Sequence, residues 1–392
     1  MNKKESLRKV LKMINPKNKT LVALMAGMSL LVSSCNVHEW PGPDLDTFPF
    51  TLYLNFDSAL PLYKEVYFSR GSDEAGDDDT RGDEKNYDIR YIVNVYKVAN
   101  ENDPTREVYK QFVFSRAYGA NHDYNVQLPL PQGKYMFRVW SDHVAMGSKS
   151  DLYYDTTDFT EIKLAYSDGH PGNTEMRDAF RGTTYGEVYD PELYTIHNGV
   201  APANSASAEM KRPMGRYEFV STDMDEFLDK VVENVDKAKI QAIYEARSRD
   251  TQLPDIFWNG LTRDEVAEAI GLNDYKVEFS YNAFMPSSYN LYTDKPSDSS
   301  TGVFYNGKMT IGDEGMQMGF DYILVDDQTT MNVNMKVYDS SGELIATTAG
   351  VEVPVVRSKN TVVKGTFLTV SSGGGVAINP DFEGDDFNIE IH

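Results

Sequence analysis

Thr329-Thr330-Met331-Asn332-Val333-Asn334-Met335-Lys336-Val337-Tyr338 is the stretch on which the fold turns. Met331, Val333, Met335 and Val337 alternate with Asn332, Asn334 and Lys336. Successive side chains of an extended strand point to opposite faces, so this alternation predicts a strand with one face on a core and one in water. Moving outward, the same period predicts strands over 276–283, 302–311 and 318–326 before it. Ser340-Ser341-Gly342 then turns the chain into 343–356, followed by 361–370 and 386–391. Adding 215–220 makes enough strand-like segments for a full antiparallel sandwich.

Toward the N-terminus, Phe50, Leu52, Leu54 and Phe56 alternate with Thr51, Tyr53 and Asn55. Further strands are expected over 63–68, 87–97, 107–114, 124–130 and 134–140, with Pro131-Gln132-Gly133 turning into the last. Strands at this spacing, without helices between them, predict another sandwich. The small-residue run 201–208 (APANSASA) reads as a linker and divides the chain into domains 48–203 and 204–392. Helical patterns interrupt the second domain over 223–274. There Asp223 is placed to cap a helix carrying Phe227, Leu228, Val231, Val235 and Ala238 on one stripe. Thr262-Arg263-Asp264-Glu265 has the form of a capping box, opening a helix through Ile270 that Gly271 stops. The expected fold class is mainly β: two tandem antiparallel β-sandwich domains with a helical insertion in the second.

The first residues read as a targeting device. Lys3, Lys4, Arg8, Lys9, Lys12, Lys17 and Lys19 precede an uncharged, mostly apolar run over 21–32. That run is too short to span a bilayer, which takes about 20 apolar residues, and it fits the core of a signal peptide. It ends in Leu31-Val32-Ser33-Ser34-Cys35, the aliphatic–small–cysteine pattern of a bacterial lipobox. Residues 1–34 are therefore expected to be a lipoprotein signal peptide, cut between Ser34 and Cys35, with the Cys35 thiol becoming the thioether to membrane lipid. Residues 35–47, with Trp40, Pro41, Gly42 and Pro43, are the anchor and tether. Cys35 is the single cysteine, so no internal disulfide is possible. Loss of residues 1–34 removes seven positive charges and one negative, taking the formal net charge from -22 to -28. A chain this acidic excludes nucleic acid as a partner, because phosphate binding needs clustered Lys and Arg.

Motifs for chemistry are sparse. His38, His122, His143, His170, His197 and His392 show no H-x-H or H-x-x-x-H spacing, so they do not suggest zinc. Gly373-Gly374-Gly375 lies between expected strands, where a phosphate cradle would need a following helix. The acidic run at Asp77, Asp78 and Asp79 lacks EF-hand spacing. The sequence thus argues for no metal, no cofactor and no enzyme. Two features could serve binding. Arg81-Gly82-Asp83 is an adhesion-type tripeptide in the acidic loop 71–85. Trp258, Tyr289 and Tyr292 could stack on a glycan or nutrient, which is the alternative to an assembly role.

Several stretches together carry a family resemblance. They are Val37-His38-Glu39-Trp40-Pro41, Leu128-Pro129-Leu130-Pro131-Gln132-Gly133-Lys134-Tyr135, Asp178-Ala179-Phe180-Arg181-Gly182, Arg212-Pro213-Met214-Gly215-Arg216-Tyr217 and Gly373-Gly374-Gly375-Val376. The chain resembles the fimbrial anchor and minor-subunit lipoproteins of Bacteroidales-type bacteria (type V fimbriae). The resemblance implies transthyretin-like or immunoglobulin-like sandwiches, an outer-membrane lipid anchor, other fimbrial or surface subunits as partners, and a part in anchoring, assembly or adhesion. The helical insertion departs from that pattern. The compatible mechanism is β-strand addition, in which a partner's strand fills an open sheet edge. Polymerising members of the family release a strand by cleavage after an arginine, and Arg70, following the strand expected over 63–68, is the candidate here. The alternating Phe387, Ile389 and Ile391 lie just before His392, so a cap or anchor role is expected rather than a shaft role.

Overall fold

A computed structural model describes residues 46–67, 86–98, 107–118, 124–165, 169–246 and 256–369. In chain order the elements open with β1 (Thr47–Phe56), β2 (Leu62–Tyr67), β3 (Tyr87–Lys97), β4 (Lys110–Ala117), β5 (Tyr124–Pro131) and β6 (Gly133–Ala145). Next come β7 (Tyr154–Asp155), β8 (Ile162–Leu164), β9 (Phe180–Val188), helix α1 (Pro191–Asn198), β10 (Ser205–Met210) and β11 (Met214–Ser221). Helices α2 (Met224–Val232), α3 (Lys237–Ala246) and α4 (Arg263–Ile270) lead into β12 (Lys276–Tyr281), the hairpin β13 (Met285–Asn290) and β14 (Lys295–Ser300), β15 (Phe304–Gly307) and β16 (Thr310–Gly312). The long strands β17 (Gly315–Leu324), β18 (Gln328–Tyr338) and β19 (Leu344–Val356) precede β20 (Asn360–Gly365). Met1–Thr47 and Phe48–His392 are separate compact units, and the sheets belong to the second.

The alternating strands pack as two sheet pairs. In the first, a three-stranded sheet β10-β1-β5 faces a four-stranded sheet β4-β3-β6-β9. Phe50, Leu52 and Leu54 on one layer and Tyr91, Val93, Phe137 and Val139 on the other fill the space between them. Phe50 and Phe137 stack across it with ring centroids 4.9 Å apart. In the second, a five-stranded sheet β16-β17-β11-β20-β2 faces a four-stranded sheet β15-β12-β18-β19. Met331, Val333, Met335 and Val337 point into its core, as their alternation requires. Burying a side chain of this size contributes about 1.5–3 kcal/mol. A third apolar cluster, with Trp140, Tyr154, Tyr289 and Phe320, lies on the other faces of these sheets. There the small sheet β14-β13-β8-β7 covers them.

Segments from either side of 203/204 are woven together. The run expected as a linker instead supplies β10, which pairs with β1 in parallel, Thr51 opposite Ser205 and Phe56 opposite Met210. Ala208 is fully buried there, so the small side chains that suggested a linker serve close packing. β2 leaves the first sandwich and pairs in parallel with β20 on the edge of the five-stranded sheet. Arg212 holds the crossing: its guanidinium donates to Ser58 O at 3.0 Å and Ala59 O at 2.8 Å while its Nε donates to Asp178 Oδ1 at 2.8 Å.

Other expectations shift in detail. The strand over 302–311 is broken into β15 and β16, which belong to facing sheets. β9 was not legible as a strand because Gly182 and Gly186 interrupt its pattern. Both glycines permit close approach: a Cβ at Gly186 would stand 2.5 Å from Phe50 Cζ, and one at Gly182 would stand 2.6 Å from Met210 Sδ. The capping box of α4 is present, with Thr262 Oγ1 accepting from Glu265 N at 3.3 Å and Thr262 N donating to Glu265 Oε2 at 2.9 Å. Gly271 closes the helix in the left-handed region at φ 70°. Asp223 precedes α2 but makes no side-chain cap. Its carboxylate accepts instead from Leu368 N at 3.2 Å and Thr369 N at 2.7 Å, pinning the chain after β20. Among the described residues no helix is long and apolar enough to cross a membrane.

Candidate functional site

Cys35 and Ser34, Arg70, and the tripeptide Arg81, Gly82 and Asp83 lie outside the described residues. So do the acidic loop and the strand expected over 386–391. The three platform aromatics are placed apart. Tyr289 is fully buried, and its hydroxyl donates to Asp294 Oδ1 at 2.6 Å and accepts from Arg357 Nη2 at 3.1 Å. Burial, reinforced by that bond, pushes its phenol well above the ordinary range. Tyr292 lies under the Arg138 guanidinium, 3.8 Å from ring centroid to carbon, and its hydroxyl donates to Tyr96 at 2.8 Å. Trp258 packs with the helical region on the second core, closing a turn on Leu261. Tyr289 and Tyr292 are thus close in the fold, and Trp258 belongs to a different cluster.

A buried polar constellation gathers around Asp321. Asp321 sits on a core-facing position of β17, opposite Tyr217 of β11. Arg177, from the short helical turn before β9, pairs with its Oδ1, and His170 Nε2 stands 2.6 Å from its Oδ2. Tyr281 also donates to Oδ2, at 2.5 Å. Behind it Tyr217 lies 2.7 Å from Tyr281 and 3.2 Å from Tyr305, hydroxyl to hydroxyl. His170 Nε2 also stands 2.9 Å from Arg177 Nη1, so the imidazole edge lies between the guanidinium and the carboxylate. Burial by itself raises the Asp321 carboxyl, but Arg177 and then His170 outweigh it and hold the group below its ordinary value. Burial lowers His170; Asp321 opposes that and Arg177 adds to it, leaving the imidazole neutral near pH 7. Burial also keeps the phenols of Tyr217, Tyr281 and Tyr305 protonated and able to donate.

This resembles an acid–base relay in composition, yet the side chains of His170, Arg177 and Asp321 are each 1% exposed. A substrate has no access to them, so their chemistry is to bind the 169–177 segment into the second sandwich. One signal for Asp321 was present: it is the only charged residue in the run 315–325. A charge in such a run is buried at high cost unless paired, which implies a cation elsewhere in the chain. Nothing local singles out Arg177 or His170 as that partner.

The surface offers a cleft and an open seam. The cleft, of about 610 Å³, lies between α2, α4 and β16. Its Arg263 is paired with Asp225 at 2.8 Å and its Glu314 with Lys364 at 2.5 Å. Among the described residues no three His, Cys, Asp or Glu come together in a group that could hold a metal.

The seam is in the first sandwich. On one side its layers are stitched between β9 and Lys211, the residue that follows β10, by Arg181 N to Lys211 O at 2.9 Å and Lys211 N to Arg181 O at 3.0 Å. On the other, β4 and β5 are edge strands, each with one hydrogen-bonded neighbour among the described residues. Phe112, Phe114, Tyr118 and Tyr124 line this side and are only partly buried. Arg116 of β4 lies over the Tyr124 ring of β5, 4.6 Å from its centroid, closing one end. Lys149 Nζ donates to Val113 O of β4 at 3.0 Å.

The fimbrial anchor protein Mfa2 from Porphyromonas gingivalis is similar at 13% identity over 77% of this chain and 82% of its own, with a TM-score of 0.33. A protein assigned to cell adhesion from Bacteroides eggerthii is similar at 9% identity over 88% and 94%, with a TM-score of 0.37. An adhesin-class protein from Bacteroides ovatus is similar at 12% identity over 82% and 90%, with a TM-score of 0.36. No curated protein matches the chain. The family model described as a family of unknown function, DUF6562, matches residues 49–392, and the chain belongs to that family.

Proposed function

We propose that this protein is a lipid-anchored component of the bacterial cell envelope, at the outer membrane, that takes part in fimbria-type assembly or adhesion by accepting a partner's strand. The single observation that carries the strand-accepting part is the seam between β4 and β5. Among the described residues the sandwich is stitched on one side, while on the other the edge strands β4 and β5 have no outer strand neighbour and lie beside half-buried Phe112 and Phe114. Main-chain bonds along such an edge give affinity, and alternate side-chain positions give register. Lys149 on Val113 O blunts the edge against unspecific pairing, a use that lysine commonly has on edge strands. The lipobox ending at Cys35 supports the anchor, and the motifs shared with fimbrial anchor lipoproteins support the assembly role. Arg70 would be the processing position if a strand is released, and Arg81-Gly82-Asp83 an adhesion tripeptide.

The test is a photo-crosslinking residue placed at Phe112 in cells of the source organism, with a second at Phe304 of the other sandwich as control. Crosslinks to a defined envelope protein from position 112 and not from 304 are expected. No crosslink from 112, or the same adducts from both, would overturn strand acceptance at this seam.

A further inference from the structure

Helix α1 is built with care yet buries nothing. Asp190 Oδ1 accepts from Glu192 N at 2.9 Å and Leu193 N at 3.0 Å, Pro191 opens the first turn, and Gly199 ends the helix at φ 93°. Asn204 clamps its approach through both Tyr189 N, at 2.8 Å, and Tyr189 O, at 2.9 Å. Two turns of helix are not stable in isolation, so these contacts are what hold it. Even so, none of its residues is buried. Leu193 is 46% exposed, Ile196 75% and Val200 92%, and the last two are the most exposed large apolar side chains among the described residues. Leu193 and Ile196, three residues apart, share one side of the helix. Single exposed apolar residues need no explanation; a held-out group of them marks a contact.

The position of this tip selects the contact. β10 begins at Ser205 and runs parallel to β1 with Thr51 opposite it, and Thr51 N donates to Asn204 O at 2.8 Å. The loop joining α1 to β10 is therefore at the end of the sandwich where the chain enters β1. From Phe48 the chain runs back 13 residues to Cys35. A chain of that length cannot reach beyond roughly 45 Å. We infer that Leu193, Ile196 and Val200 form a second membrane contact, seated in the surface of the same bilayer that takes the acyl chains of Cys35. The inference rests on the anchor proposed above and adds an orientation to it: the entry end of the first sandwich faces the bilayer. Glu187, Asp190 and Glu192 precede or open the helix in the chain, so apolar insertion drives the contact and anionic headgroups do not attract it.

A single-thiol probe tests this. Cys35 is the only cysteine, and acylation blocks its sulfur, so Ile196→Cys gives the acylated protein one free thiol. It is labelled with an environment-sensitive fluorophore and reconstituted in phosphatidylethanolamine–phosphatidylglycerol vesicles, with Phe304→Cys as control and Val200→Cys as a second tip position. A blue shift at 196 and 200, quenched by nitroxide-bearing lipid and unchanged by salt, with no shift at 304, is expected. An unshifted label on acylated, vesicle-bound protein overturns the membrane contact and leaves the anchor standing. A shift without lipid quenching assigns the tip to another copy of the chain and also overturns it. An intact mass without acyl chains refutes the anchor, and the contact with it.

Discussion

Arg177 and Asp321 form an ion pair in which both side chains are 1% exposed, and they come from segments 144 residues apart. The pair joins the turn before β9 to the core-facing side of β17. Removing one partner leaves the other charged and buried, which costs about 3–5 kcal/mol. Arg177→Met and Asp321→Leu are each expected to lose stability on that order in urea denaturation. The double variant is expected to cost clearly less than the two losses added together, since no unpaired charge remains. Strict additivity would show that the pair does not act as a unit.

The same cluster sets a pH dependence. Burial, aided by Arg177 and opposed by Asp321, lowers His170 below its ordinary value of 6.5. As pH falls through 6.5 the unfolded chain takes up a proton that the folded protein refuses, so stability declines. Asp321, whose burial is outweighed by Arg177 and His170, lies below its ordinary 3.8, so it adds a further loss as pH falls below that value. Melting temperature is therefore expected to drop between pH 7.5 and 5.5. The drop should be shallower in His170→Gln, whose amide does not titrate and has both a donor and an acceptor to offer Asp321 and Arg177. Parallel curves for the two proteins would remove His170 from the account.

Packing at β9 gives a test of the first sandwich. A Cβ at Gly186 would stand 2.5 Å from Phe50 Cζ and 3.2 Å from Phe137 Cε2. Gly186→Ala is expected to cost about 1–3 kcal/mol, the usual range for overpacking a tight core. Adding Phe50→Leu should recover part of that loss in thermal melts, because it withdraws the ring from the clash. An unchanged melting temperature in Gly186→Ala would mean that the layers are farther apart than described.

These elements also show where sequence reading succeeds. Met331 through Val337, Phe50 through Phe56 and the Thr262–Glu265 capping box were legible because period and spacing are local properties. β9, β10 and β13 were not. Glycines at 182 and 186 replace side chains where sheets touch, serines and alanines in 205–208 mimic a linker, and Met285–Asn290 pairs with β8, more than a hundred residues away. Asp321 could be flagged as an isolated charge in an apolar run, but its partners are decided by topology. Likewise Tyr289 reads as a free aromatic in the sequence and proves to be core, because Arg357 and Asp294 converge on its hydroxyl.

The claim on which the rest depends is that the chain is held to a membrane through Cys35. Intact-mass and N-terminal peptide analysis of protein purified from envelope fractions tests it most directly. The expected result is a mature chain beginning at Cys35, with the mass of diacylglycerol and acyl chains on that residue, and loss of that mass and of membrane retention in Cys35→Ala. A mature N-terminus elsewhere, or an unmodified Cys35 thiol on protein that still stays with the membrane, would contradict it.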